Sequence, residues 1–247
     1  MAGIDEKSGT TITVGKLMMP RDEVIPLLSV GNLWLKVIRE KVLDQALAGE
    51  EATKEELASH YKKVLATEPD YLLRLGRQLE AQGVPADRVN FYLSRPVLVA
   101  RFKQRLFAPH VPTLFLKLKQ SRDSVVFSLI RHKEREVLEE LLHRVLAGEC
   151  SFAETASKFS EGNESATGGM IGPAPLGRLS PHLQKILAPM QESEMSGLFL
   201  VRDTWGLVQL HRKIPAVLDE KTTRDLIELQ FREWQEGETK KYITMAD

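Results

Sequence analysis

The chain has 247 residues, 43% of them apolar and 28% charged, with 34 Lys and Arg balancing 34 Asp and Glu. That length supports one large or two small domains with a buried core, and the charge balance gives no electrostatic reason to expect nucleic acid or an anionic membrane as partner. A single cysteine, Cys150, excludes an internal disulfide; no Cys/His cluster has the spacing of structural zinc, and no apolar run approaches the roughly 18 residues of a membrane span.

Met1–Thr10 lacks the basic-then-apolar order of a secretory leader, so a reducing, cytoplasmic setting is expected. Ile12–Leu17 can form a short leading strand. Leu27, Val30, Trp34, Ile38 and Val42 recur at helical spacing, with Leu33, Val37 and Leu47 widening the stripe, which predicts one long amphipathic helix ending near Gly49. Thr53 and Glu56 make a capping box that opens a second helix carrying Leu57, Tyr61 and Val64. Tyr71–Gln82 is helical through Leu72, Leu75 and Leu79 and closes at Gly83. Pro85 opens a helix with Val89, Phe91 and Leu93, and Arg95-Pro96 is expected to end it. A further helix follows from Val97 to about Lys119, interrupted near Pro109 and Pro112. Met18, Met19, Trp34, Phe91, Phe102, Phe107 and Phe115 give this half much large apolar surface, most of it core.

Past a polar link at 120–124 the pattern changes. Val125–Ile130 is a strand, Lys133–Ala147 a helix with Val137, Leu138, Leu141, Leu142 and Val145 inward, and Gly148 its stop. Ser151 and Glu154 make a second capping box for a helix to about Phe159. The Gly-rich run through Gly168, Gly169 and Gly172 is a loop leading to a short strand; no Lys-Ser or Lys-Thr follows at P-loop spacing, so turn geometry explains it. Ser180-Pro181 caps a helix through Leu183, Ile186 and Leu187. Leu198–Val201 and Leu207–Arg212 are strands joined by a tight turn at Asp203–Gly206. Arg131, His132 and Lys133 read as a solvated charge cluster, and Cys150 as a residue without a redox role. The final segment, Asp219 to about Glu236, is too apolar for a free tail and is expected to pack on the N-terminal helices.

The run Gly148–Ser160 resembles the "G-x-x-F-A-x-L-A-x-x-x-S" segment of parvulin-type prolyl isomerases. Gly168–Gly172 resembles their "G-G-D-L-G" turn, and Thr204–Leu210 their closing "T-x-F-G-Y-H-I-I" strand. With helices on both sides, the chain resembles the SurA and PrsA class of foldase chaperones. The resemblance implies an α+β chain, with an all-helical SurA-like lobe from residues 1–119 and 216–247 and an inserted parvulin (FKBP-like) rotamase domain at 120–215. It implies no cofactor and no metal, and unfolded or proline-containing peptides as clients.

The reaction implied is rotation about an X-Pro amide, a barrier of about 18–20 kcal/mol. It needs an apolar seat for the proline ring and a polar rim that favours the twisted amide. The family's two histidines fall on Phe127 and Val208, its Cys or Asp on Gly162 or its neighbours Glu161 and Asn163, and its turn aspartate on Met170. Leu179 and Leu183 take the places of its Met and Phe, with Met170 and Ile171 beside them, and Thr204 keeps a hydroxyl near the closing strand. Three readings stay open: a slow isomerase working by desolvation and ring capture, a non-catalytic peptide clamp, and an adaptor that binds no unfolded chain.

Overall fold

The computed structural model describes residues 11–14 and 17–242. The leader reading at Met1–Thr10, and Gly15 of the expected leading strand, lie outside them. The elements in order are β1 (Thr11–Val14), β2 (Leu17–Pro20), α1 (Arg21–Val30), α2 (Trp34–Ala46), α3 (Lys54–His60), α4 (Lys62–Leu65), α5 (Tyr71–Ala81), α6 (Ala86–Phe107), α7 (Val111–Arg122), β3 (Ser124–His132), α8 (Arg135–Leu146), α9 (Phe152–Phe159), β4 (Met170–Pro175), α10 (Pro181–Leu187), β5 (Phe199–Val201), β6 (Thr204–Ile214) and α11 (Glu220–Lys240). They form two compact units, residues 1–111 with 223–247 and residues 112–222.

The first unit is helical apart from the antiparallel pair β1–β2, so the single leading strand becomes a hairpin. Three helix boundaries differ from the periodicity reading. The long first helix is broken at Gly31-Asn32, where Asn32 takes a left-handed φ of 52° that an α-helix cannot contain. The second helix ends at His60, and Tyr61 separates it from the single turn of α4. Conversely, Arg95-Pro96 does not end a helix: α6 runs through Pro96. The ring removes one backbone donor, but Ser94, Val97 and Leu98 on either side of it are buried. Arg95 is also held by Asp44 (2.7 Å) and Glu40 (2.6 Å), so tertiary packing outweighs the local preference. The Thr53 capping box forms with both hydrogen bonds. The last helix packs on the N-terminal ones through an aromatic group of Phe102, Phe107, Phe231 and Trp234, with ring centroids 4.9–6.5 Å apart.

The second unit has an antiparallel sheet of order β4-β3-β6-β5. Alternation along β3 and β6 gives it two apolar faces. One carries Ile130 and Leu207 beneath Leu138 and Leu141 of α8 and Phe152 and Ala156 of α9. The other carries Val125, Phe127, Leu129, Val208 and Leu210 with Leu176, Leu187 and Met190. The α8 and α9 stripes thus bury as their spacing predicts, and the Ser151 capping box holds α9 in place. The β5–β6 turn is Arg202-Asp203, with Arg202 at φ 55°, so β6 begins at Thr204 rather than after Gly206.

Candidate functional site

The apolar face of the sheet under α10 gathers five of the eight residues singled out above. Phe127 lies on β3 opposite Ile171 of β4 and Leu210 of β6, and Val208 lies opposite Leu129. Leu179, Leu183, Ile171, Ile186 and Phe199 pack on that cluster from outside and are half-buried. Ser180 fixes this rim: its hydroxyl accepts from the Leu183 amide (3.4 Å), capping the helix that carries Leu183. The Gln184 side-chain amide donates to the Leu179 carbonyl (2.7 Å), tying the preceding turn to α10. Phe127 and Val208, onto which the resemblance maps two histidines, are 0% exposed. The buried apolar side chains clustered with them are Val125, Leu129, Leu176, Leu187, Met190 and Leu210, and the Ser196 hydroxyl accepts from the Val208 amide (3.1 Å).

The other three stand apart from that cluster. Met170, one residue before Ile171 and so on the opposite side of β4, is exposed. Thr204 starts β6 and donates to the Val201 carbonyl (3.2 Å), closing the turn. Gly162 precedes a 3-10 turn, Asn163–Thr167, and a Cβ there would run into the Glu164 carboxylate and the Arg131 guanidinium. That crowding reveals a feature the sequence conceals. Arg131 is not part of a solvated cluster: its Nε and Nη2 donate to the buried Glu164 carboxylate (2.9 and 2.6 Å), and the Ser160 hydroxyl donates to the same carboxylate (2.9 Å). Burial alone would raise the Glu164 pKa, but the hydrogen bonds from Arg131 and Ser160 and the Arg131 charge hold it below its ordinary value. The hydrogen bond to Glu164 in turn raises Arg131, which stays charged.

This ion pair pins the loop that leads into β4. The Gly169 amide donates to the Glu164 carbonyl (2.8 Å), and the Gly169 carbonyl accepts from the Leu129 amide (2.9 Å). Gly169 itself has φ 81°, and a Cβ would lie 2.7 Å from the Leu129 carbonyl oxygen, so a bare backbone is required there. The Ser128 hydroxyl and His211 Nε2 are 2.8 Å apart. Ser128 alternates with Phe127 and Leu129, so this pair lies on the face of Ile130, away from the rim. Sequence reasoning also passed over His182 and Phe199, whose rings meet with centroids 5.5 Å apart beside Leu183. The His182 signal was available, since it sits in the first turn of a helix that Ser180-Pro181 announces.

What this arrangement offers chemically is a half-exposed apolar seat over a closed apolar core. Neither Phe127 nor Val208 carries a group that could polarise a twisting amide. No group of three or more His, Cys, Asp or Glu among the described residues could hold a metal.

Residues 125–212 match the model of the Rotamase family, the PPIC-type PPIase domain. No curated protein matches the chain in sequence. Among solved structures, a peptidylprolyl isomerase, PrsA, from Bacillus cereus is 16% identical with a TM-score of 0.50, over 96% of this chain and 93% of that one. The foldase protein PrsA from Streptococcus pneumoniae is 15% identical with a TM-score of 0.43, over 96% and 94%. At 16% identity the B. cereus likeness establishes the fold alone.

Proposed function

From the premise that residues 125–212 are a PPIC-type peptidyl-prolyl isomerase domain, we propose that the protein is a folding chaperone whose parvulin-type domain engages proline-containing segments of unfolded polypeptides and turns them over slowly. The reading is supported by the apolar rim of Ile171, Leu179, Leu183 and Phe199, which is half-buried and is the seat this reading gives the proline ring. Such a rim lowers the barrier by taking the amide out of water, since the twisted amide has lost resonance and carries less charge separation than the planar one. Electrostatic help in the transition state would require donors placed at the rim, and the family's positions for them are Phe127 and Val208, both inside the core. Slow turnover follows.

That burial also favours a second reading, a clamp that binds such segments without accelerating their isomerisation. Exchange NMR on an Ala-Pro peptide, with and without the protein, separates the two. Isomerase activity appears as faster cis/trans exchange that falls in Leu183→Ala and Leu179→Ala. Binding shifts without faster exchange leave the clamp, and a peptide whose spectrum the protein leaves unchanged removes both.

A further inference from the structure

The sheet of the second unit has two edge strands, β4 and β5, and they are guarded unequally. Along β4, Pro173 and Pro175 supply no N–H, and its register against β3 slips between Val125 and Phe127; both features discourage a further strand. β5, Phe199–Val201, carries no proline, no charge and no break in register. Its turn shows which backbone groups are free. Val201 and Thr204 flank the two residues Arg202-Asp203, so the closing hydrogen bonds run between Val201 and Thr204. Antiparallel pairs alternate between bonded and unbonded. Phe199 therefore bonds Gly206, while Leu200, opposite Trp205, turns its N–H and C=O outward. No other hydrogen bond reaches Leu200 among the described residues, and the residue is 48% exposed.

Phe199, next to that free position, also belongs to the apolar rim. We propose that β5 takes an extended client segment as a further antiparallel strand, with a proline of the segment seated over Phe199 and held in the trans form. This rests on the reading of the rim as the proline seat, and adds how the segment is aligned there. Strand addition of this kind draws its affinity from main-chain hydrogen bonds and its selectivity from alternate side chains. The client residue X opposite Leu200 exchanges two hydrogen bonds with it, so X cannot be proline, which lacks the N–H. In an antiparallel strand the residue after X lies opposite Phe199, where a backbone N–H would point away from β5. A proline there forfeits nothing, and its ring falls on the face of Phe199 and Leu183. X itself faces the side of Leu200 and Trp205, where an apolar side chain covers Leu200. The Leu200 N–H then donates to the carbonyl of the X–Pro amide itself. A donor on that oxygen deepens the amide resonance, and a strand requires the extended chain. The edge therefore holds the trans isomer, and turnover waits until this bond opens.

The test is an NMR titration of the full chain with the peptide Ac-Ser-Val-Leu-Pro-Val-Ser-NH2, in which Leu is X. Its cis fraction, about 10–30% when free, should fall as protein is added. Leu200→Pro removes the outward donor without touching a β6 hydrogen bond, and an edge tolerates proline; binding should weaken about 5–10-fold. An ester in place of the X amide should cost the same on the unaltered protein, whereas an ester one residue earlier, where the N–H points away from β5, should leave affinity unchanged. The ester pair decides the matter even where Leu200→Pro disturbs the hairpin. Equal losses at the two ester positions overturn the proposal, as does a cis fraction that holds or rises. Binding that falls in Leu183→Ala but is indifferent to both esters overturns the edge and leaves the rim reading standing. A peptide that the protein does not bind at all overturns both.

Discussion

Phe127 stands where the resemblance to parvulins expects a histidine, and the structure predicts damage rather than repair from Phe127→His. Phe127 is fully buried in a cluster with Val125, Leu129, Leu176, Leu187 and Met190. Removing the phenyl ring forfeits about 1.5–3 kcal/mol of apolar burial, and an imidazole whose ring nitrogens find no partner adds about 1–3 kcal/mol. The sum, about 2.5–6 kcal/mol, is a large part of the stability of a unit this size. Hydrogen exchange followed by NMR reads it directly. The slowest amides of β3 and β6 exchange through opening of the sheet, so they should speed up by about 10² to 10³ or more. Protection that stays at the wild-type level, with the new imidazole titrating near its ordinary value of about 6.5, would refute the argument. It would mean that water or a polar partner reaches position 127 and that the site is open enough for histidine chemistry.

The Arg131–Glu164 pair gives a pH prediction. Glu164 is depressed in the folded state below its ordinary value of about 4.5, so its contribution is fully present above that value and is lost as pH falls through the folded pKa. Glu164→Gln should cost about 1–2 kcal/mol at pH 7, discounted because Arg131 is half in solvent, and the gap to wild type should close as pH falls through the folded Glu164 pKa, as read by urea titration at a series of pH values. Gly206→Ala would place a methyl 2.5 Å from the Phe199 ring, its cross-strand neighbour. The ring must shift from its place over β6 and change its contact with His182, at about 1–3 kcal/mol, with chemical-shift changes at His182 and Leu183 as the check.

Much of this fold is written in local signals. Ser151 with Glu154, Thr53 with Glu56, and Ser180 before Pro181 each place a helix start correctly, because a cap involves only neighbours within four residues. The β-branched run at Val125 and the stripe of α8 declare their burial for the same reason. What fails to show depends on distant partners. Gly31-Asn32 and Arg95-Pro96 both look like breaks, yet only the first is one, since Asp44 and Glu40, some fifty residues earlier, hold Arg95 in a continuous helix. Arg131 looks like a surface charge because its partner, Glu164, sits in a polar run where acidic side chains are usually solvated. The apolar replacements at the site are visible in sequence, whereas their complete enclosure, which decides how they act, emerges only from the packing of Leu176, Leu187 and Met190.

The division of the chain sets an order of events during synthesis. Residues 112–222 are contiguous and contain every partner of their own sheet, so this unit can close as soon as β6 leaves the ribosome. The helical unit begins earlier but finishes last. Phe102 and Phe107 wait for Phe231 and Trp234, more than a hundred residues downstream, and until α11 emerges their rings have no aromatic partner from it. A nascent chain therefore carries a finished rotamase-type domain tethered to a half-built helical one.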